Sequence, residues 1–129
     1  MPRKKQATFT DGELRIMDVL WNKGSASVRE VTEELSQKQK TAYTTVMTML
    51  GVLRDKGYVA HEKQGRAFIY FPLVDRMQAR RTALSDLLKR FFDGSPTLLM
   101  QNLLEDERLN EQDLAALKNR IEHFQGDES

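Results

Sequence analysis

Residues 25–72, SASVREVTEELSQKQKTAYTTVMTMLGVLRDKGYVAHEKQGRAFIYFP, contain a short polar turn, a helix, a second helix rich in threonine, and two strands joined by Lys63-Gln64-Gly65-Arg66. Local chemistry supports each assignment. Ser27 followed by Glu30 is a capping box, in which each side chain satisfies an amide that the start of a helix leaves unpaired. Val28, Val31 and Leu35 give that helix an inward face. Residues 37–40 form a turn, and a second helix is predicted over residues 41–56. There Ala42, Val46, Met49, Leu50 and Leu53 fall in one sector about 100° wide, a core-facing stripe. Gly57 ends the helix, and residues 58–62 and 67–71 read as strands around a turn containing Gly65. A hairpin alone is marginal in water, so it must lean on the helices. This order is that of a winged helix-turn-helix, whose second helix enters the major groove of DNA.

The outer face of the second helix carries the functional signal. It presents Thr41, Thr44, Thr48 and Gly51, with Thr45 and Met47 on its flanks. An exposed helix face ordinarily uses Glu, Lys, Gln or Ala, because β-branched threonine loses rotamer freedom in a helix. Threonine instead offers a hydroxyl for a phosphate or base edge and a methyl for the thymine methyl, and it is thin enough for deep docking. Gly51, which costs about 0.5–1 kcal/mol against alanine in a helix interior, fits the same need for close approach. Lys40, Tyr43 and Arg54 border this face, and Lys63 and Arg66 mark the hairpin tip, placed to reach phosphate.

Outward from this stretch, the capping box Thr10/Glu13 opens a first helix that stops at Gly24, with Leu14, Met17, Leu20 and Trp21 as its apolar stripe. Residues 1–8 read as a basic arm. After Pro72 the pattern is helical. Met77, Leu84, Leu87, Leu88 and Phe91 share one side of the first segment, and Gly94 ends it. Ser95-Pro96 starts a segment holding Leu98, Leu99, Met100, Leu103 and Leu104. Asn110 and Asp113 cap a third, with Leu114, Leu117, Ile121 and Phe124 at spacings of three and four. Three such helices in about 55 residues beside a separate core cannot all bury their apolar faces. A second copy is the simplest cover, because two-fold dimers are the commonest assembly. The expected fold is therefore mostly α with a small β-hairpin: an arm (1–8), a winged helix-turn-helix (9–74) and a three-helix dimerisation region (75–129).

Composition adds exclusions. The 129 residues carry 30% charged side chains and a net charge of +1. Residues 1–74 hold 12 basic against 8 acidic side chains, and residues 75–129 hold 8 against 11, so the DNA-facing half is the basic half. With no cysteine, thiolate metal sites, cysteine nucleophiles and disulfides are ruled out. The two histidines, His61 and His123, lack metal-ligand spacing, and no glycine-rich phosphate loop occurs. No enzyme activity, metal or cofactor is expected. No apolar run approaches the roughly 18 residues of a membrane span, so a cytoplasmic protein without membrane insertion is expected. The same residues leave open an alternative, a winged-helix module that binds another protein and never touches DNA.

Taken together, the chain resembles the penicillinase repressor (BlaI/MecI) family. The likeness rests on Asp11-Gly12-Glu13-Leu14-Arg15-Ile16-Met17 with Leu20-Trp21, then Ala42-Tyr43-Thr44-Thr45-Val46-Met47-Thr48, then Lys56-Gly57-Tyr58-Val59. The resemblance implies a homodimeric transcriptional repressor on a double-stranded operator with inverted half-sites like TACA and TGTA. On that pattern the base readers are Thr44, Thr45 and Thr48, with Met47 beside them. Some relatives carry lysine or arginine at the positions of Thr44 and Met47, so here thymine contact and DNA shape should outweigh guanine reading. The resemblance implies dimerisation through Leu84, Leu87, Leu88, Phe91, Leu99, Leu103, Leu114, Leu117, Ile121 and Phe124. It also implies a regulatory membrane metalloprotease cascade that ends in cleavage within these helices. The matching bond is Asn102-Leu103, where the asparagine is kept and the following residue is apolar but not aromatic. Copper-responsive cousins use clustered cysteines, which this chain lacks.

Overall fold

The computed structural model describes residues 9–128, so the expected basic arm lies outside the described residues. Helix α1 (Asp11–Lys23) opens on the Thr10/Glu13 capping box and ends at Gly24, whose φ of 87° lies in the left-handed region that glycine tolerates. A two-residue strand β1 (Ala26–Ser27) precedes α2 (Val28–Ser36), which Ser27 and Glu30 cap reciprocally. Helix α3 (Tyr43–Asp55) is followed by β2 (Val59–Gln64) and β3 (Ala67–Pro72). Helices α4 (Arg76–Phe91), α5 (Pro96–Leu104) and α6 (Glu111–Glu128) complete the order.

The sheet is antiparallel with strand order β1-β3-β2. Strand β1 was not legible in the sequence because two residues show no alternation; Ala26 pairs with Tyr70 and Ser27 with Ile69. The β2–β3 ladder runs from Val59↔Pro72 to Gln64↔Ala67, so Lys63 and Gln64 belong to the strand and the turn is Gly65-Arg66 alone. Gly65 has φ 62°, as a first central glycine of a two-residue hairpin turn requires.

The core joins α1, α2, α3 and the sheet: Ile16, Met17, Leu20, Val31, Val46, Leu50, Leu53 and Val59 are fully buried. Two expected core positions are corrected. Leu14 lies about 120° round α1 from Leu20 and is 42% exposed, while Ile16 and Val19 take the buried arc. Ala42 is exposed because the turn continues through it and α3 begins one residue later. Ser36 braces this turn: its Oγ accepts from the Thr41 amide at 3.1 Å and donates to the Thr41 carbonyl at 3.2 Å.

The chain divides into two compact units, one ending at Asp86 and the other beginning at Leu87. Within the second, Ser95 caps α5 by accepting from the Leu98 amide at 3.2 Å, and Asn110 and Asp113 cap α6 reciprocally. Asp106 binds Arg108 at 2.6 Å in the link between these helices. No residue of α4 or α5 is buried.

Candidate nucleic-acid interface

The candidate reader is the solvent side of α3. Val46, Leu50 and Leu53 fix one side of the helix in the core, which leaves Thr44, Thr45 and Thr48 exposed, with Tyr43 50% and Met47 46% accessible. Large apolar surface is thus left in water beside three hydroxyls, a mixture suited to a base edge and its methyl. A Cβ built on Gly51 would meet nothing within 4 Å. Among the described residues no protein neighbour demands a glycine there.

Charge is arranged to match. The N-cap of α3 is Ala42, which makes no side-chain cap hydrogen bond, whereas Thr10, Ser27, Ser95 and Asn110 cap α1, α2, α5 and α6. The first amides of α3 therefore lack a side-chain acceptor at the positive end of the helix dipole, a setting that favours an anion. Lys40 and Thr41 lie immediately before it. The Thr41 hydroxyl donates to the Gln39 carbonyl at 2.8 Å, so it can still accept but its proton is committed. Lys40, Lys63 and Arg66 are exposed and make no ion pair among the described residues, while Arg54 lies 3.8 Å from Asp55. Thus Lys40, Thr41, Tyr43, Thr44, Thr45, Met47 and Thr48 are contiguous on the turn and α3, and Arg54 lies on the last turn. Lys63 and Arg66 belong to a separate element, the end of the hairpin.

Two features hold α3 in place that the sequence did not reveal. Glu13, only 4% exposed, receives the Lys56 ammonium at 2.7 Å on one oxygen and the Thr10 amide at 2.9 Å on the other. Burial alone would raise its pKa. The Lys56 and Thr10 interactions outweigh that and hold the carboxyl below its ordinary 4.5. A capping residue of α1 therefore also anchors the end of α3, a contact across 43 positions that no local pattern discloses. In addition, the methyl end of Met49 packs against Gly12, in the space that a Cβ there would take.

Neither histidine joins a metal-ligating cluster among the described residues, and the buried His61 Nδ1 has no hydrogen-bond partner there. His61 packs edge-on to Phe68, with ring centroids 4.7 Å apart, and lies beside Tyr70. His123 Nδ1 lies 2.8 Å from the Asn119 carbonyl. Among the described residues no group of three or more His, Cys, Asp or Glu could hold a metal ion, and no helix is long and apolar enough to cross a membrane.

A three-helix core, a two-stranded wing and an exposed hydroxyl-bearing third helix define the class as winged helix-turn-helix regulators that bind DNA. The chain belongs to the penicillinase repressor family, whose profile, described as "Penicillinase repressor", matches residues 9–123. This is a family of DNA-binding transcriptional repressors, not of enzymes. The chain is 33% identical over 119 residues to the penicillinase repressor of Bacillus licheniformis, covering 92% of this chain and 93% of that one. It is 24% identical over 115 residues to the methicillin resistance regulatory protein MecI of Staphylococcus aureus, covering 89% and 94%. The solution structure of the DNA binding domain of the repressor BlaI matches 59% of this chain and 93% of its own, with 38% identity and a TM-score of 0.52.

Proposed function

We propose that the protein represses transcription as a cytoplasmic homodimer bound to an inverted-repeat operator with TACA- and TGTA-like half-sites. Helix α3 lies in the major groove, Thr44, Thr45 and Thr48 meet base edges, and Tyr43 and Met47 supply apolar contact. Lys40, Thr41, Arg54, Lys63 and Arg66 meet the flanking backbone, and the helices of residues 75–129 join two copies. The observation that carries this reading is the outer face of α3: exposed threonines, a glycine with open space above it and an uncapped N-terminus, all on one element.

The dimer rests on the C-terminal surface. Leu84, Leu87, Leu103, Leu117 and Ile121 are exposed, Phe91 and Phe124 more than 60% so, and Leu88, Leu99 and Leu114 are half-buried. Each such side chain gains about 1.5–3 kcal/mol when fully buried, which favours cover by a second copy.

The experiment is a salt titration of operator binding. A protein neutralising about 6 to 10 phosphates loses about three to five decades of affinity between 50 and 200 mM salt. Weak binding that ignores salt would instead favour the protein-binding alternative. A second reading concerns relief of repression by a membrane metalloprotease cascade that cuts Asn102-Leu103. In its favour, this bond lies near the exposed end of α5, where the Asn102 side chain donates to the Leu98 carbonyl at 3.0 Å. Mass analysis of the protein from cells exposed to a β-lactam tests it; an intact chain during derepression refutes it.

A further inference from the structure

Only a short link separates the wing from α4, and its first two residues, Leu73 and Val74, are tied to the winged helix. The Leu73 amide donates to the Tyr58 carbonyl at 2.8 Å, extending the β2–β3 edge beyond Pro72. The Val74 carbonyl accepts from the Trp21 indole Nε1 at 2.8 Å, and Val74 packs on the core. The Asp75 carboxylate accepts from the Gln78 amide at 2.7 Å and so caps α4. The Arg76 guanidinium then lies 5.3 Å from the centre of the Trp21 ring, donates to Asn22 Oδ1 at 2.9 Å and stands 3.6 Å from Asp18 Oδ1. A flexible tether would need none of these. Three independent partners on α1 hold one arginine in the first turn of α4, and a planar guanidinium over an indole has a defined orientation.

We infer that Trp21 and Arg76 form a junction that sets the direction in which α4 leaves the winged helix, and thereby select the spacing between operator half-sites. The inference rests on the homodimer reading above. Its magnitude follows from the helix as a lever. From Arg76 to Asp86 α4 rises about 15 Å, so a tilt of about 13° at its root moves that end by about 3.4 Å, one base-pair step. Two readers joined through such levers engage both half-sites only if the span matches, and avidity is lost where geometry forbids simultaneous contact. Trp21 and Arg76 are positioning residues, with no role in reading bases.

The test uses the full-length protein and duplexes carrying TACA and TGTA half-sites, with the spacer varied one base pair at a time, beside a duplex with a single half-site. Wild type should prefer one spacer by about tenfold or more over its neighbours, as expected when avidity depends on span. Arg76→Ala and Trp21→Phe should cut that preference to about threefold or less while leaving single-site affinity within about twofold, because the readers are untouched. Arg76 lies at the edge of the core, so its variant remains informative if Trp21→Phe loses stability. Variants that keep the full spacer preference overturn the junction alone. A wild type that ignores spacing and sediments as a monomer overturns the homodimer reading and the junction with it.

Discussion

The residues up to Asp86 and those from Leu87 onward solve the burial problem in opposite ways. In the first unit, apolar residues from Ile16 to Tyr70 close into one core, and even the carboxylate of Glu13 is buried against its cation. In the second, side chains of the same chemistry, Leu87, Phe91, Leu103 and Phe124 among them, stay exposed. The difference teaches where each unit finds its partner. The winged helix closes its core within the chain, whereas the C-terminal helices keep large apolar side chains exposed, which supports the proposed cover by a second copy.

The hardest way to break this contrast is to remove the second unit. A chain ending at Asp86 keeps Val74 and Arg76, which contact α1 of the winged helix, and should be a folded monomer whose operator affinity falls by about 10²–10⁴-fold. Sedimentation and gel shift check it, and unchanged affinity would show that these helices do not join two readers. Next comes the reader itself. Thr48→Ala should cost about 1–3 kcal/mol on the operator and leave random DNA nearly unaffected. Equal losses on both would remove Thr48 from base recognition.

Lys56→Met sharpens the first half of the contrast by stranding Glu13. Breaking a charged hydrogen bond costs about 1.5–3 kcal/mol, and because Lys56 is partly exposed the lower end applies. The sign with pH follows from the lowered pKa of Glu13. Its contribution is fully present above the ordinary value of 4.5 and disappears as pH falls through the lower folded value. Denaturant melts of wild type and variant should therefore differ most near neutral pH and converge in acid. Smallest is Gly51→Ala. With open space above it, alanine should raise stability by about 0.5–1 kcal/mol while weakening operator binding. A gain in stability with unchanged binding would mean that nothing approaches Gly51.

Much of this was legible in the chain because local chemistry wrote it there. The capping pairs Thr10/Glu13, Ser27/Glu30 and Asn110/Asp113 each form as their spacing predicts, and the α3 stripe of Val46, Leu50 and Leu53 is buried. What escaped has no local signature. Strand β1 exists only because Tyr70 and Ile69 present an edge to it, and Lys56 looks like any surface lysine until folding brings Glu13 beside it. Leu14 misled because its side chain is apolar, although helical geometry turns it away from the core. The exposed face of α3 was readable from threonine's poor fit to an ordinary helix surface, but its missing side-chain cap was not, because the helix starts after Ala42 and not at Thr41.

That Ser36–Thr41 staple has a kinetic meaning. With the bend between α2 and α3 fastened by hydrogen bonds inside the chain, the helix proposed to meet the groove is aimed before any encounter. On that reading docking loses little backbone freedom at this bend, so the turn itself imposes no ordering step on capture.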